Sequence, residues 1–568
     1  MAIMPEPTAA PLPAVPRASP AAPRKASPRA SSARGPLALP VYRMLWIAQL
    51  VSNVATWMQT VAAQWFLTSA GAGPAVIALV TTFSALPVLL LALPAGVAAD
   101  LIDRRRWLIG VQFGMAVVAG LLTVAAMTGV LTPTLLLVFV AAFGAGSALT
   151  IPAWQAVQPE LVPRSMLPQA AALGGVNVNL ARAVGPAIGG VIVALSGPAF
   201  VFGLNALSFL VIVAALQRWD RPRNEQNGHE RLTEALRIGV AYARNAPTFR
   251  RVLLRVALFV VPGSAVWALL PVVAADQLGL EASGYGLLLG CLGIGAVIGA
   301  MLLRRVRARW SATGLLFVAA LLMTVSTVIA GLSRTELVVA GGLLLGGAGW
   351  IWHLASLNAA AQIVLPAWVR ARALSLYVLM LQGGQALGAT LWGLLAQRWG
   401  VPASLTSAGV VMGLVALSLL HWGLRDATRV DPRPGIAFEE PPLLQGEDPG
   451  GGVLVIVEYV VHADSEEQFF EAMGRLRRVR RRTGALRWSL YRDAEQPGLW
   501  LEVFHVASWE DHVRQHARRT VTDLEVELVA ESLGLEPSRT RHLVAPPSVV
   551  SAPNSGVWRN VRRRPEVN

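Results

Sequence analysis

Residues 96–106 read Gly-Val-Ala-Ala-Asp-Leu-Ile-Asp-Arg-Arg-Arg, and this stretch decides how the chain is organised. It joins two long uncharged segments, 76–99 and 107–131. A helix needs about 20 apolar residues to cross a bilayer, so the stretch predicts a tight turn between two membrane spans. Its three consecutive arginines place the turn on the cytoplasmic side, because arginines in short loops set the topology.

The composition also favours a membrane protein. Of the 568 residues, 54% are hydrophobic and only 14% are charged, and the mean hydropathy is +0.53; soluble domains average about 25% charged residues. The net charge is +15, but the arginines are spread over many loops, which favours topology signals and lipid contacts over nucleic-acid binding. Cys291 is the single cysteine, which excludes a disulfide framework and a cysteine-based metal site. No cofactor or metal is predicted.

Twelve apolar segments are long enough to span the membrane. Arginines cluster in alternate loops, at 104–106, 164, 218–251, 304–309 and 370–372, whereas the opposite loops carry few positive charges. This alternation predicts twelve spans with both termini in the cytoplasm. The predicted spans are 43–68, 75–99, 107–130, 133–154, 170–195, 198–217, 252–275, 284–304, 312–332, 336–362, 372–396 and 402–424.

The chain repeats itself halfway along. Gly185-Pro-Ala-Ile-Gly-Gly190 in the fifth segment is echoed by Gly384-Gln-Ala-Leu-Gly-Ala389 in the eleventh. Each copy is followed by a break, Gly197-Pro198 and Gly400-Val-Pro402. Parallel halves with a central site at their interface are one plan of secondary transporters. The sequence therefore predicts an all-α membrane protein of two parallel six-helix halves, joined by a hydrophilic linker at 218–251.

These features together resemble the major facilitator superfamily of transporters. The 96–106 stretch is similar to the superfamily's loop between spans two and three, with Leu101 and Asp103 departing from the pattern. The resemblance implies a conformational latch formed by Gly96, Asp100, Arg104 and Arg105, and the alternative interpretation is an ordinary signal that holds the loop in the cytoplasm. The opening span, with Asn53-Val-Ala-Thr-Trp-Met-Gln59 and Gln64-Trp65, and the C-terminal tail resemble the enterobactin-exporter-like, transmembrane secretion effector branch.

The glycine-rich segment of the fifth span resembles a motif of drug and metabolite exporters. Small residues let membrane helices approach closely, and a proline permits a bend. We therefore predict a hinge and helix-packing site, and the alternative interpretation is static packing. Its residues are Gly185, Pro186, Gly189 and Gly190.

A few polar side chains inside the spans are candidates for the substrate or proton path. Arg182 either binds an anionic group or pairs with an acid, and the alternative is a base that extends to the membrane surface. His353 is a candidate proton carrier or a packing residue. Asn53, Gln59 and Gln64 in the first span are candidate cavity-lining donors.

After residue 452 there are no further long apolar segments, and the sequence is typical of a soluble domain. Segments 453–461, 486–491 and 500–506 predict strands, 465–482 and 508–533 predict helices, and a last strand is expected near 541–545. This β-α-β-β-α order predicts a small α+β, ferredoxin-like domain, and it resembles antibiotic-biosynthesis-monooxygenase-type domains that pair as dimers. His505, His512 and His516, with Trp488 and Trp509, mark a candidate pocket there without a metal signature.

The domain boundaries follow from these observations. We expect a disordered basic tail (1–38), a first half (39–217), a linker (218–251), a second half (252–425), a linker (426–452), the ferredoxin-like domain (453–545) and a disordered tail (546–568).

The predicted protein is a bacterial inner-membrane exporter and not an enzyme. Its partners are a small metabolite, siderophore or drug, the proton as coupling ion, the lipid bilayer, and a second copy through the C-terminal domain. A membrane-tethered oxygenase or a sensor acting through that domain is the alternative function.

Overall fold

The computed structural model describes residues 35–220, 232–424, 431–433, 435 and 452–544. The side chains of 92–93, 96–101, 232–238 and 371 lie outside this description. Most of the predicted N-terminal tail and of the 426–452 linker, and the whole of the 546–568 tail, also lie outside the described residues.

Twelve helices form the main body of the described chain. Many begin with a proline in the first turn, where its missing N–H costs no hydrogen bond. They are α1 (Pro40–Ser69), α2 (Pro74–Leu101), α3 (Arg104–Met127), α4 (Pro133–Leu161), α5 (Leu167–Gln217), α6 (Leu232–Asn245), α7 (Pro247–Val272, continued by a π-turn at Val273–Gln277), α8 (Ala282–Arg307), α9 (Ala312–Leu332), α10 (Glu336–Val364), α11 (Ala367–Trp399) and α12 (Val401–His421).

Ten of the described helices are long and apolar enough to cross a membrane. The difference from the twelve predicted spans has two physical reasons. Polar residues, among them Gln49, Asn53 and Gln59, lower the hydropathy of α1, which is otherwise 30 residues long. The fifth and sixth predicted spans are continuous in α5, although Gly197 within it is not helical, with φ 76° and ψ 169°.

The helices pack in a pattern that repeats between the two parts of the chain. In the first part α1 packs on α5, α2 on α4, and α3 on α5. In the second part α7 packs on α11, α8 on α10, and α9 on α12. Two further pairs, α5 with α8 and α2 with α11, join the parts to each other.

The outer faces of these helices are strongly apolar. Leu195, Met301 and Leu337 are 81%, 76% and 83% exposed. Exposed apolar surface of this extent is unfavourable in water and suits a lipid environment. Together with the ten apolar helices it identifies a multi-pass membrane protein.

A four-stranded antiparallel sheet lies at the C-terminal end of the described chain. Its strands run in the order β2-β3-β1-β4, with Val455 paired to Phe504 and to His542. The buried side chains of α13 include Phe469, Met473 and Leu476, in the core to which the sheet contributes. The elements are β1 (Val453–Val460), α13 (Glu466–Thr483), β2 (Arg487–Arg492), β3 (Leu499–Val506), α14 (Trp509–Ala517), α15 (Val521–Ser532) and β4 (Arg539–Val544).

The hydrophilic 218–251 linker contains a helix that the sequence analysis did not predict. This helix, α6, packs on α11 and on α13, so it contacts both the helical bundle and the C-terminal domain. The following helix begins at Pro247 rather than at 252, since its proline and Thr248 form the first turn. Residues 221–231 of the linker lie outside the description.

Candidate functional site

A cavity of about 740 Å³ lies between the two parts of the bundle. It occupies the half of the bundle nearer to the basic turn at Arg104. Its volume is within the range of small-molecule sites. The N-terminal half of α1, the C-terminal half of α4 and the N-terminal half of α5 line one side; Trp350, Ile351 and Leu354 of α10 and Leu381, Gln382 and Gln385 of α11 line the other.

Amide side chains form a connected chain along the wall of this cavity. Gln49 donates to Asn53 (2.9 Å), Asn53 donates to Asn177 (2.8 Å), and Asn177 donates to the carbonyl of Trp46 (2.9 Å). The Oε1 atom of Gln49 is buried and accepts no hydrogen bond. These hydrogen bonds therefore fix the amide side chains of α1 and α5, and the Oε1 atom of Gln49 remains available as an acceptor.

Among the described residues that line the cavity, Arg182 is the cation; it lies in α5 with its guanidinium 5.5 Å from the centre of the Trp57 ring. Its Nε atom is buried and has no hydrogen-bond partner. It forms no ion pair with any acid in the part of the chain that the structure describes. A desolvated cation without an acid is costly, so an anionic group from outside the chain would be strongly attracted to it.

Three of the predicted path residues do not line the cavity. Gln59 is buried and accepts a hydrogen bond from Asn205. Gln64 accepts from Tyr285 of α8 and donates to the carbonyl of Trp267 (3.1 Å), so it bridges α1 to the second part of the bundle. His353 is fully buried, with its ring stacked at 3.7 Å on Phe259. Of the predicted residues, Arg182 and Asn53 are brought together at the cavity.

In the basic turn at 104–106, Arg104 and Arg105 donate hydrogen bonds to residues at the ends of neighbouring helices. Arg104 donates to Glu160 of α4 at 2.8 Å. Arg105 donates to the carbonyls of Leu216 (2.8 Å) and Gln217 (2.6 Å), at the C-terminal end of α5. A cation there satisfies carbonyls that have no helical partner. The surroundings of Gly96 and the side chain of Asp100, the other two predicted latch residues, lie outside the description.

The predicted hinge glycines lie where α5 touches two other helices. A Cβ on Gly185 or Gly189 would lie 2.7 Å from Trp57 or Met58 of α1. A Cβ on Gly190 would lie 2.6 Å from the carbonyl oxygen of Ala282, at the start of α8. Pro186 is also buried, and its carbonyl faces Gly286 of α8. Only glycine fits at these approaches.

Several polar and aromatic residues of the cavity were not predicted from the sequence. Their spacing carried a detectable signal: residues three and four apart share one helix face, and such pairs recur in α4 and α11. The missed residues are Trp46, Gln49, Trp154, Gln155, Gln158, Trp350, Gln382 and Gln385.

The C-terminal domain contains a buried ion network at its centre. Glu502 is fully buried and accepts from Arg480 (3.1 Å), Trp488 (2.8 Å) and Tyr459 (3.2 Å). Burial opposes the charge on Arg480, but Glu502 and Glu527 raise its pKa overall. Every charge in this network has an opposite charge beside it, as a structural network requires.

The histidine pocket predicted in this domain is assembled in part. The Nε2 atoms of His512 and His516 lie 3.2 Å apart and the His542 ring lies 4.8 Å from that of His512, whereas His505 is exposed on β3. Burial and the neighbouring His542 lower the pKa of His512 to about 4. The described residues contain no cluster of histidine, cysteine and acidic side chains that could hold a metal ion.

Comparison with known proteins gives a consistent assignment. A family model described as "Transmembrane secretion effector" matches residues 31–548. The enterobactin exporter EntS of Salmonella typhimurium is 30% identical over 301 residues, which are 51% of this chain and 70% of that protein. The staphyloferrin A transporter of Staphylococcus aureus is 23% identical over 252 residues, 44% of this chain and 63% of that transporter, so this match spans less than two thirds of its length.

Solved structures of transporters share the fold. A mutant of the nucleoside transporter NupG superposes with a TM-score of 0.57 at 10% identity, covering 67% of this chain and 99% of that one. A bacterial homologue of the human lysosomal transporter Spinster, inward-facing and occupied, gives 0.54 at 14% identity, covering 68% and 96%. Since the family model covers most of the residues, the chain belongs to the transmembrane secretion effector family of major facilitator superfamily transporters.

Proposed function

We propose that this transporter exports a small anionic metabolite of the siderophore class by proton-coupled alternating access. Arg182 carries the proposal, because its Nε atom is buried without a hydrogen-bond partner and it pairs with no acid among the described residues, in a cavity lined by amide, aromatic and aliphatic side chains. Such a wall suits a ligand with carboxylate or acidic hydroxyl groups and aromatic surface. The names of the relatives, an enterobactin exporter and a staphyloferrin A transporter, support this class.

The proposed transporter has twelve spans in two parallel halves with both termini in the cytoplasm. The repeated packing pairs support the two halves. The span count follows if α1 crosses the membrane and if α5 is two spans divided at Gly197. The equivalent position in the second half is Gly400, which has nearly the same backbone angles, φ 86° and ψ 157°, and separates α11 from α12.

Alternating access is supported by the unequal contacts between the halves. The cavity lies at the proposed cytoplasmic end, whereas the close approaches of Gly190 to α8 and of Thr82 to Thr390 (2.9 Å) lie toward the other end. This arrangement is inward-facing. We propose that the 185–190 segment is the pivot and that Asp100 with the basic turn is the latch; an Asp100→Asn variant that inserts normally but transports at the wild-type rate would refute the latch.

Proton coupling is proposed from the transporter class, with His353 as the candidate carrier. Its α10 neighbours Trp350 and Leu354 line the cavity. If His353 carries the proton, His353→Gln should abolish gradient-driven export while substrate still binds. Binding and gradient-driven export both at wild-type levels would assign His353 to packing.

We propose that the C-terminal domain is a ferredoxin-like regulatory module rather than an oxygenase. The β4-β1-β3-β2 strand order supports the fold. In the described part of the chain β2 and β4 are the edge strands of the sheet, and we propose that a second copy pairs there. The molar mass of the purified transporter in detergent tests this dimer.

The decisive experiment measures accumulation of labelled enterobactin, staphyloferrin A and a lipophilic cationic dye in cells with and without the protein. Each compound is tested with the proton gradient intact and collapsed. We expect lower accumulation of an anionic siderophore, lost when the gradient is collapsed. Arg182→Gln should weaken binding of that siderophore at least tenfold, and Arg182→Lys should weaken it less. Export of the cation alone, unchanged by Arg182→Gln, would refute the proposal.

A further inference from the structure

A second cavity, of about 490 Å³, lies between the C-terminal domain and the helical bundle. One wall comes from α13, the end of α14 and the start of α15. The other wall comes from α6, the start of α7 and the connection between α10 and α11. The cavity exists only because the domain is docked on the bundle.

The wall on the side of the C-terminal domain is strongly basic. Arg475, Arg478 and Arg482 recur at helical spacing on one face of α13, and Arg518 joins them from the end of α14. Asp523 is the acid among the described lining residues. Four arginines against one carboxylate leave an excess of three positive charges.

The acid among the described lining residues, Asp523, already has partners within the protein. Asp523 is 2% exposed, pairs with Arg482 and accepts the backbone N–H of Thr520 at 2.9 Å. Arg475 pairs with Glu471, but both side chains are more than half exposed, so this pair is weak. Arg478 forms no ion pair with an acid in the described chain. Asp523 therefore offsets the charge of Arg482, and within the described residues positive charge remains around Arg475 and Arg478.

On the opposite wall the described lining residues add aromatic side chains and carry no charge. Trp368 donates its Nε1–H to the carbonyl of Arg518 at 3.1 Å, and the Arg518 guanidinium lies 5.2 Å from the Trp368 ring. Tyr242 is buried, and its burial, opposed by Arg482, raises its pKa to about 12. Its hydroxyl therefore stays protonated at neutral pH and is a hydrogen-bond donor for an anion.

We propose that this cavity binds the phosphate group of a second, regulatory ligand between Arg475, Arg478, Arg482 and Arg518. Planar guanidinium groups match phosphate oxygens in pairs. Two sources offer this group at the cytoplasmic face that the proposed topology assigns to the cavity: a soluble phosphate compound and the headgroup of an anionic lipid.

Binding there would couple to transport because the cavity joins the domain to moving helices. Val364 lies at the end of α10 and Trp368 at the start of α11. Both helices also line the first cavity, the one that contains Arg182, which we call the transport cavity. A ligand held by α13 and by this connection binds best in the arrangement where the two walls face each other. It therefore stabilises the inward-facing state and slows turnover, since a ligand shifts an equilibrium toward the state it binds more tightly.

The test uses the purified full chain and needs no transport measurement. One arm titrates ATP and inorganic pyrophosphate by calorimetry at low salt. The other compares hydrogen exchange of α13 in nanodiscs of phosphatidylcholine with nanodiscs that also contain phosphatidylglycerol. Arg478→Gln should weaken the response at least tenfold, and Arg478→Lys should restore part of it. Arg477→Gln is the matched control, because Arg477 is also exposed on α13 but lies against Trp488 outside the cavity.

The outcomes separate the two sources. Saturable binding of ATP or pyrophosphate identifies a soluble phosphate ligand, and protection of α13 only by phosphatidylglycerol identifies a lipid headgroup. A wild-type protein that responds in neither arm, or an Arg478→Gln variant that responds like wild type, overturns the proposal. Failure of siderophore export would leave this result unchanged, so the two proposals fail independently.

Discussion

Two arginines inside the bundle differ in how completely their hydrogen bonds are satisfied. Arg255 is 3% exposed, and it donates to the Ser418 hydroxyl at 2.6 Å and to the carbonyls of Ser418 and Trp422 at the end of α12. It is a structural cation that caps a helix. Within the described residues the buried Nε atom of Arg182 has no such partner, which is why a functional role is proposed for it. The sequence alone does not separate the two cases, because helix position does not reveal which carbonyls a side chain reaches.

The hydroxyl of Tyr285 links the halves at the end away from the cavity. It donates to Gln64 of α1, and the Tyr285→Phe change leaves the Gln64 oxygen buried without this donor. Such a loss costs about 1–3 kcal/mol, so we expect the halves to separate more often at this end. The measurement is the distance between spin labels at Val130→Cys and Arg334→Cys, in a Cys291→Ser background.

Tyr377→Phe is the matched control for this prediction. Its hydroxyl donates to the carbonyl of Leu354 at 3.2 Å, and both residues lie in the second half. This variant loses a hydrogen bond of the same kind without touching the contact between halves. Equal label distances in the two variants would show that the Tyr285 hydrogen bond does not hold the halves together.

The buried histidines predict how the C-terminal domain responds to acid. The pKa of His512 is about 4 in the folded chain and near 6.5 when unfolded. The unfolded domain therefore binds a proton that the folded one excludes, so its stability falls as the pH drops from about 6.5 toward 4. His512 contributes roughly 3 kcal/mol of that loss. The protection factors of the β1 amides in the full chain, which are corrected for the pH dependence of intrinsic exchange, should fall between pH 7 and 5.

His512→Gln should flatten this pH dependence, since glutamine does not titrate. His462→Gln serves as the control because His462 is 61% exposed. An unchanged pH dependence in the His512→Gln protein would locate the acid sensitivity in other groups.

At the level of helices, the apolar segments and the basic loops were sufficient to predict the membrane class. The end of α2, the start of α8 and the break at Gly197 agree closely with the sequence-based boundaries. The direction in which each polar side chain points could not be predicted. It depends on how each helix is rotated about its axis relative to neighbouring helices that are distant in sequence. Gln59 and Gln64 share α1 with Asn53, yet they face Asn205 and Tyr285 rather than the cavity.

The contact between α5 and α8 depends on the absence of side chains. A Cβ on Gly190 would meet the Ala282 carbonyl at 2.6 Å and the Gly286 Cα at 2.8 Å, both backbone atoms that cannot move aside alone. We expect Gly190→Ala to cost about 1–3 kcal/mol in this arrangement and to lengthen the distance between the labels at positions 130 and 334.

Gly120→Ala is the control for the glycine contact, because a Cβ at Gly120 meets nothing within 4 Å. It adds the same methyl group to a helix of the same bundle. If Gly190→Ala and Gly120→Ala give the same label distances and the same thermal stability, the close approach of α5 and α8 does not control the separation of the halves.

At the scale of the whole molecule, three bodies meet near the end that holds the transport cavity. The two halves enclose the cavity, and the C-terminal domain contacts the second half through α6 and Trp368. The sequence predicted a C-terminal domain but not its contact with the bundle, because α6 lies in a segment that was interpreted as a hydrophilic linker. Its apolar residues Leu236, Val240 and Ala243, spaced three and four apart, were the available signal.

Trp368 makes the most specific of these docking contacts, and its removal tests whether the domain is held by them. Trp368→Ala loses a hydrogen bond to the Arg518 carbonyl and a cation–π contact with the Arg518 side chain, together about 1–3 kcal/mol. We expect faster hydrogen exchange at 518–522 and in α6, with the sheet still protected. Trp310→Ala, which removes a tryptophan 48% exposed in the α8–α9 loop, should change neither. Unaltered exchange in Trp368→Ala would mean that α6 and α13 alone hold the domain. Affinity for the proposed siderophore substrate should stay within about twofold in both variants, because neither change touches the cavity that Arg182 lines.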